Sequence, residues 1–400
     1  MIPISEALKI IKNEVVSLKS ETIDLENSIG RVLAEEIRAD MDLPPFDRSQ
    51  MDGFAVKNKD TKNAPVKLKI IGESAAGCGF DGILNSGEGV RIMTGARVPE
   101  GADSVQQVEM TEEKTGFVKI LKATKENQNL VKKAAEMKAD EKIFDEGEVV
   151  TGNMIATLAS FGYEKVKTAK KPIVAILATG SEIVDISQSP KQDQIRNSNS
   201  WMLAAFARNF AEVNVLPIAE DVLENLKDTI NEAVKSCDCL IISGGVSVGE
   251  YDFTKPALRE IGAEIFFEKV SLKPGKPTVF AKLENTLIFG LPGNPVSVAV
   301  TFFAFARTAL LKMQKAKNCE LKKGFAKLTH PIKATKERDS LLPVSLDTNE
   351  NGFLTIETLR FSGSSNFIAF SRANALVFIP QDKNLDKGDV AEIFFLENSL

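Results

Sequence analysis

The feature that most restricts the fold of this sequence is the alternation of apolar, strand-like runs with helix-like segments in its central part. Strands are predicted at Ile173–Ala178, Glu212–Ile218 and Leu240–Ile242, and each is followed by a segment with helical spacing. A fourth strand, near 286–290, precedes a long apolar helix that continues to Met313. Alternating strands and helices favour a parallel sheet with helices on both faces. We therefore predict a central α/β domain.

The flanking parts of the chain follow other patterns. Residues 3–19 carry apolar side chains at helical spacing, whereas residues 40–140 contain short alternating runs separated by Gly, Pro and Asn. The second pattern is typical of an all-β insertion. Short strands return in the tail, 323–400, where Asn351-Gly352 predicts a hairpin turn. With 400 residues, the chain is expected to form two to four domains.

Composition excludes several classes of function. The net charge of −5 does not indicate a general nucleic-acid role, and the four cysteines have no zinc or disulfide spacing. The single histidine, His330, excludes a multi-histidine metal site, and a Ser-His-Asp triad would depend on it alone. We expect no apolar run of membrane length, and residues 1–7 do not open with the basic-then-apolar pattern of a signal peptide. We expect a cytoplasmic protein without nucleic-acid or membrane partners.

A glycine-rich turn after the third strand indicates a phosphate site. The apolar run Cys239–Ile242 is followed by Gly244, Gly245 and Gly249, and glycines in such a turn let backbone N–H groups approach a phosphate closely. Glu250 and Asp252 follow at once. Because acids repel a phosphate unless a cation lies between them, the segment suggests a phosphorylated ligand held with Mg²⁺. The alternative is a tight strand-to-helix turn with no ligand.

Two further strands end in similar turns, at Thr179–Glu182 and Pro292–Pro295. In an open parallel sheet the ligand crevice lies beyond the carboxyl ends of the strands, so all three turns should face one crevice. Asn294 can cap the last helix with Pro295 at its first position, and the resulting helix N-terminus favours an anion. Convergence of the three turns is stronger evidence for a ligand site than any one motif.

Several candidate residues keep two interpretations. The lysines of Lys269–Pro277, framed by prolines, could hold an oxyanion, or the segment could be a solvated loop. Asp221, three residues before Glu224, could cap a helix or face the ligand. Glu182 could be a site acid or a solvent-facing acid of a turn. Asp52, in an Asp-Gly pair, could be a functional acid or an ordinary turn residue.

Taken together, these segments resemble the molybdopterin molybdenumtransferases, the MoeA family, which includes the gephyrin E-domain. Six motifs in order carry the resemblance and span nearly the whole chain. They are Phe46–Val56, Arg91–Gly101, Thr179–Glu182, Ser243–Asp252, Lys273–Pro277 and Leu291–Ser297.

The resemblance implies a multidomain α/β plus β fold and a homodimer. The expected parts are a linking subdomain (20–39 and 140–169), an inserted all-β subdomain (40–139), a parallel α/β sandwich similar to molybdopterin-binding proteins (1–19 and 170–316) and a small C-terminal β-barrel (320–400). The active cleft would lie at the subunit interface, where Asp52 and Thr94 of one subunit face the α/β crevice of the other.

The implied reaction converts adenylylated molybdopterin and molybdate to molybdenum cofactor and AMP, with Mg²⁺ as cofactor. Molybdopterin adenylyltransferase would be the upstream partner. The residues carried over form three groups. Expected catalytic residues are Asp52, Thr94, Glu182, Asp221 and Asp252, of which the last three would also bind the metal. Expected cofactor-binding residues are Gly244, Gly245, Ser247, Gly249, Glu250, Pro292, Gly293, Asn294 and Pro295. Expected molybdate-binding residues are Lys273, Lys276, Pro277, Ser297, Arg338 and Ser364.

One segment departs from the family pattern. Where the family reads Arg-x-x-Gly-Glu-Asp, this chain has Lys132–Met137, which lacks the glycine and leaves Glu136 as the candidate replacement for the last acid.

Two other functions are compatible with the α/β part. A nucleotide pyrophosphatase would hydrolyse common dinucleotides without molybdate, and a non-catalytic pterin carrier or scaffold would bind without releasing AMP.

Overall fold

A computed structural model describes residues 1–246, 252–359 and 366–396. The described residues divide into two compact units, each with its own apolar core. One unit comprises Met1–Glu35, Glu146–Ile155 and Glu164–Leu400, and the other comprises Glu36–Asp145 and Ala156–Tyr163.

The first unit is built around a sheet of six described strands. Their spatial order is Glu212–Val215, Ile173–Ala178, Cys239–Ser243, Thr286–Leu291, Val279–Leu283 and Glu264–Phe267. The first four run parallel, as the alternation predicts. The last two pair antiparallel at one edge, which was not predicted. The chain order therefore reverses between Ile173–Ala178 and Cys239–Ser243, where a crevice opens in sheets of this type.

Helices cover both faces of this sheet because consecutive strand residues point to opposite sides. Ile241 packs in one core, whereas its neighbours Leu240 and Ile242 pack in the other. The core of Ile241 includes apolar residues of three helical segments, Ile4–Glu14, Ser198–Ala207 and the helix after Pro295. The opposite core is closed by Leu223–Val234 and Thr254–Glu260. Both faces of the predicted sheet are thus confirmed as buried.

The long apolar helix runs from Pro295 to Met313 and contains a π-helical turn. Its parts are Pro295–Thr301, Phe302–Ala306 and Arg307–Met313. Among the described residues it is the helix long and apolar enough to cross a membrane, so the expectation that no run has that length and composition is wrong. Because 89% of its most apolar window is buried inside the protein, this segment has the burial of a core helix.

Four smaller elements are also present. Ser20–Asp24 pairs antiparallel with Lys165–Ala169, and the short strands Ile183–Val184 and Ile195–Arg196 pair in parallel. A 3₁₀ turn lies at Leu25–Asn27, and a helix spans Gly152–Ser160.

The C-terminal strands close into a barrel of five described strands, as predicted. In order around the barrel they are Asp339–Thr348, Leu354–Thr358, Lys323–Leu328, Val390–Phe395 and Ala375–Ile379, and the last pairs back with the first. A short strand, Leu272–Lys273, joins Asp339–Thr348 in parallel, and a helical turn lies at Phe367–Phe370. The predicted turn at Asn351-Gly352 is present, with Gly352 at φ +78°.

The second unit is mainly β, as expected for the insertion. Its sheet of six described strands has the order Ser104–Gln107, Gly53–Val56, Glu88–Ile92, Val66–Ser74, Phe117–Ile120 and Thr111–Lys114. Two further pairs are Arg48–Ser49 with Leu130–Val131, and Ile37–Arg38 with Lys142–Phe144. A short helix lies at Asn58–Thr61, and a 3₁₀ turn lies at Val108–Met110.

Candidate active site

A crevice of about 1000 Å³ lies in the first unit, beyond the carboxyl ends of the parallel strands. It opens where the order of the strands reverses, between Ile173–Ala178 and Cys239–Ser243. All three predicted turns contribute to its walls, through Thr179–Glu182, Gly244–Val246 and Pro292–Pro295. The predicted convergence of these turns is therefore present in the described residues.

The close approach of the turns depends on glycine. Gly244 has φ +105°, and a side chain there would collide with the backbone carbonyl oxygen of Thr179. Gly245 has φ +61°, and a Cβ would lie 2.6 Å from the hydroxyl of Thr254. A Cβ on Gly293 would lie 3.9 Å from the Cα of Gly244. Backbone groups of three strand ends thus meet without intervening side chains, which suits a phosphate site.

Asp221 belongs to this site and does not cap a helix. Its carboxylate accepts hydrogen bonds from the hydroxyl of Thr179 and from the backbone N–H of Ser181, the latter at 3.0 Å. The helix begins at Leu223, with Val222 in the N-cap position and no side-chain cap. The capping interpretation of Asp221 is therefore wrong, and the carboxylate instead stabilises the first turn of the crevice.

Asn199 joins the other two turns. Its amide nitrogen donates to the hydroxyl of Ser243 at 2.9 Å and to the backbone carbonyl of Gly293 at 2.7 Å. Both Asn199 and Ser243 line the crevice, and the sequence predictions missed both. The segment Asn197–Ser200 looks like an ordinary helix start, and Asn197 does cap the helix by accepting from the N–H of Ser200 at 3.1 Å. The signal in the sequence for this site residue was Asn199 itself, a second asparagine two residues after the helix cap Asn197.

The three predicted metal ligands, Glu182, Asp221 and Asp252, all line the crevice. Within the described ranges, no three His, Cys, Asp or Glu side chains are grouped closely enough to hold a metal by themselves. Carboxylate oxygens are nevertheless the ligands that Mg²⁺ prefers, and this ion usually takes only one or two of them beside substrate phosphates and water. The donor set in the crevice therefore fits a Mg²⁺ ion bound together with a phosphorylated ligand.

The remaining predicted cofactor-binding residues fall into two groups. Gly244, Gly245, Pro292, Gly293, Asn294 and Pro295 line the crevice. Ser247, Gly249 and Glu250, together with the predicted molybdate ligand Ser364, lie outside the described residues. The long apolar helix begins at Pro295, as predicted, so its N-terminus lies at the crevice. Asn294 occupies the N-cap position, but its side chain makes no capping hydrogen bond.

The predicted molybdate residues are spread over neighbouring segments. Pro277 lines the crevice, whereas Lys273 and Lys276 are exposed and do not belong to the described crevice lining. Arg338 donates to the backbone carbonyl of Leu272 at 3.2 Å, which places it beside the strand that contains Lys273. Ser297 is buried in the first turn of the last helix. The structure thus brings Arg338 and the Lys273 segment together.

Asp52 and Thr94, in the second unit, form a direct pair. One carboxylate oxygen of Asp52 accepts from the backbone N–H of Thr94 at 2.7 Å and from its hydroxyl at 2.9 Å. The backbone N–H, and then the hydroxyl, hold the pKa of Asp52 below its ordinary value. Asp52 is therefore a carboxylate at neutral pH.

The hydrogen bonds between Asp52 and Thr94 lead to a testable prediction. Replacing Thr94 by Val removes the hydroxyl donor but keeps the backbone donor, so the pKa of Asp52 should rise and still stay below its ordinary value. Because the folded pKa is depressed, the pair stabilises the fold above the unfolded pKa and loses this effect as pH falls through the folded pKa. Carboxyl-detected NMR titration measures the change. Asp185, whose pKa is lowered by the hydroxyl and the N–H of Ser187, should titrate unchanged. An unaltered Asp52 titration would contradict the prediction.

The divergent segment Lys132–Met137 is held by ion pairs. Glu136 pairs with Arg48 at 3.1 Å, and Lys132 pairs with Asp47 at 2.8 Å. Arg48 and Asp47 both belong to the motif Phe46–Val56, so the two segments are joined despite the missing glycine. Glu136 thus keeps an ionic partner in the unit that carries Asp52.

The cysteines do not supply a reactive group to the crevice. Cys237 and Cys239 are buried free thiols, as predicted, and burial raises the pKa of Cys237 to about 11. Burial likewise raises the pKa of Cys239 and of Cys319, whereas Cys78 is exposed. The three buried thiols are therefore protonated at neutral pH. His330 is exposed, as expected.

Comparison with known proteins agrees with this architecture along the whole chain. Three family models match consecutive parts: the MoeA N-terminal region (domain I and II) over residues 2–162, a probable molybdopterin binding domain over 175–312, and the MoeA C-terminal region (domain IV) over 326–396. A molybdopterin molybdenumtransferase of Staphylococcus epidermidis is 32% identical over 404 residues, covering 100% of this chain and 96% of that relative. Its Staphylococcus aureus counterpart is 33% identical over 410 residues, covering 99% of this chain and 96% of the relative.

Solved structures give the same result. A molybdopterin biosynthesis MoeA protein from Pyrococcus horikoshii superimposes with a TM-score of 0.82 and 31% identity, covering 99% of both chains. A second structure of this kind, from strain OT3, gives a TM-score of 0.85 and 28% identity over 99% of this chain and 100% of that one. The fold and the crevice define a multidomain protein with a molybdopterin-binding-like α/β part. The chain belongs to the MoeA family, and these matches support a transferase enzyme of molybdenum cofactor biosynthesis.

Proposed function

We propose that this protein inserts molybdate into adenylylated molybdopterin, with cleavage of the phosphoanhydride, to give molybdenum cofactor and AMP. Membership of a family whose named relatives are molybdopterin molybdenumtransferases supports the substrate class. The observation that carries the proposal is the meeting of three strand-end turns at one crevice, with acids and backbone donors on its walls. A phosphoanhydride bound with a cation needs backbone donors for its phosphates and acids for the cation.

The backbone of the crevice would bind the phosphates. Gly244 and Gly245 leave the turn free of side chains, and the N-terminus of the helix at Pro295 contributes a partial positive charge. Cleavage of the anhydride increases negative charge on the phosphate oxygens. Donors that are already oriented in the folded protein stabilise this charge without further reorganisation. Asp221 and Asn199 keep the turns in position through the hydrogen bonds described above.

Glu182, Asp221 and Asp252 would hold the Mg²⁺ ion, because all three carboxylates line the crevice. When bound, the ion supplies positive charge that stabilises the departing phosphate. Asp221 also accepts from Thr179 and Ser181, so its orientation is fixed before any ligand binds.

Molybdate would be bound beside the phosphate site. It is a tetrahedral dianion, so lysine, arginine and hydroxyl donors suit it. The proposed ligands are Lys273, Lys276, Pro277, Ser297, Arg338 and Ser364. The position of Arg338 next to Leu272–Lys273 supports a shared site for these cations. The dithiolate that finally binds molybdenum belongs to the pterin.

A homodimer would complete the active site. In this proposal Asp52 and Thr94 of one subunit face the crevice of the other, and the ionised state of Asp52 is compatible with a role beside the metal. Molybdopterin adenylyltransferase would supply the substrate. The cytoplasmic location stays a prediction.

The deciding experiment uses the purified full-length protein and adenylylated molybdopterin. We expect AMP release that requires molybdate and Mg²⁺ together. Release of nucleotide from common dinucleotides without molybdate would instead identify a pyrophosphatase. Tight binding of the pterin nucleotide with no AMP release under any condition would identify a carrier, and either result would reject the proposal.

Asp252→Ala separates the enzyme from the carrier. We expect AMP release to fall at least about 100-fold, because the variant loses a carboxylate from the crevice where charge develops, while pterin nucleotide still binds. The matched control is Asp228→Ala, on the exposed side of Leu223–Val234 and away from the described crevice lining. Chromatographic measurement of AMP over time checks the result. Equal rates for Asp252→Ala and the wild-type protein would count against the metal assignment.

A further inference from the structure

The orientation of the Asn199 amide is fixed by its two partners. Its nitrogen lies 2.9 Å from the hydroxyl oxygen of Ser243 and 2.7 Å from the carbonyl oxygen of Gly293. A carbonyl oxygen can only accept, so a flipped amide would place two acceptors against each other. The amide group therefore donates one proton to each partner. The Asn199 oxygen is buried and has no hydrogen-bond partner among the described residues.

This arrangement decides what the hydroxyl of Ser243 can do. Because the Ser243 oxygen accepts from Asn199, its own proton must point in another direction. In the described parts of the chain, that proton has no acceptor among the hydrogen bonds found for Ser243. Ser243 is the last residue of the strand Cys239–Ser243, lines the crevice, and directly precedes Gly244 and Gly245. Its hydroxyl is thus a spare donor next to the glycine turn.

We propose that Ser243 binds the substrate by donating a hydrogen bond to a phosphate oxygen of the nucleotide, and that Asn199 is a positioning residue that fixes the direction of this donor. The proposal rests on the proposed function, which supplies the nucleotide. It extends that function because Ser243 adds a side-chain donor to the backbone donors at Gly244 and Gly245. Asn199 also donates to the carbonyl of Gly293, so it fixes the position of the Ser243 donor relative to the turn at Gly293.

The first test compares AMP with adenosine, which lacks the phosphate. A hydrogen bond to a charged group contributes enough that Ser243→Ala should weaken AMP binding by about 10- to 100-fold. Adenosine binding should not change. The matched control is Ser200→Ala, because Ser200 is fully buried, has no hydrogen-bond partner for its hydroxyl, and lies outside the crevice lining. Isothermal titration calorimetry in Mg²⁺ buffer measures both ligands.

The second test examines Asn199. Asn199→Ala should weaken AMP binding to a similar extent, because the Ser243 hydroxyl is then free to turn away. The double variant should be little weaker than either single one, since both changes remove the same interaction. In AMP-release assays we expect the loss in KM more than in kcat. Asn374→Ala is the control, because Asn374 bridges the N–H and carbonyl of Leu346 in the barrel and should change stability alone.

Three results would overturn the proposal: wild-type affinity for AMP in Ser243→Ala, an equal loss of AMP and adenosine binding in that variant, or no AMP binding by the wild-type protein. Fully additive effects of Asn199→Ala and Ser243→Ala would overturn the positioning role of Asn199. The proposed function is judged separately, by molybdate-dependent AMP release from the wild-type protein. The Ser243 proposal can therefore fail while the proposed function holds, and the reverse is also possible.

Discussion

Asp221→Asn should reduce molybdate-dependent AMP release at least about 100-fold, which is the largest loss of activity expected for a near-isosteric change in this protein. The substitution keeps the shape of the side chain but removes its charge from the crevice. It also replaces one acceptor oxygen by an NH₂ group, so the hydroxyl of Thr179 and the N–H of Ser181 cannot both keep their bonds unchanged. Both the metal site and the first turn should be affected.

The matched control is Asp238→Asn. Asp238 accepts the backbone N–H of Ile173 at 2.8 Å, at the opposite end of the strand Ile173–Ala178. Loss of that bond should lower thermal stability without abolishing AMP release. Thermal melts and AMP-release rates on both variants distinguish the two effects. If Asp238→Asn lost as much activity as Asp221→Asn, a general loosening of the sheet would explain both.

Much of the fold could be predicted because apolar periodicity reports burial directly. The four parallel strands were expected from their sequence patterns and the barrel from the family resemblance, whereas the antiparallel edge of the sheet was not expected. Val279–Leu283 and Glu264–Phe267 are short apolar runs, and their apolar pattern alone does not fix strand direction. Direction is set by the tight connection between Leu283 and Thr286, where Glu284 adopts φ +52°.

The sequence predicts the parts of the site that the sheet topology determines. It does not predict the contacts that single side chains make there. Parallel strands must end on one side of a sheet, so the meeting of the three turns followed from the strand order. Asp221 shows the limit of local reasoning. Its spacing to Glu224 indicates a cap, but the observed partners lie 40 and 42 residues away along the chain. Such contacts depend on tertiary packing, and the same holds for Asn199 with Ser243 and Gly293.

Gly244 is a position in the crevice where the backbone itself limits substitution. Its φ of +105° is a conformation that side chains rarely adopt, and an added Cβ would overlap the carbonyl oxygen of Thr179. That oxygen belongs to the backbone of the neighbouring turn, so it cannot move aside as a flexible side chain could. Relief of the overlap requires the two turns to separate. The phosphate site depends on their proximity.

Gly244→Ala should therefore lower the free energy of unfolding by about 3 kcal/mol or more, combining backbone strain with steric overlap, and should abolish detectable AMP binding. Gly352→Ala is the matched control, because Gly352 also has positive φ (+78°) but no atom within 4 Å of the added Cβ. Strain alone should cost about 1 kcal/mol there, with AMP binding unchanged. Urea denaturation and calorimetry measure both quantities. Equal losses of stability in the two variants would show that the overlap at Thr179 is relieved without cost, and the turns would then be more adaptable than their geometry indicates.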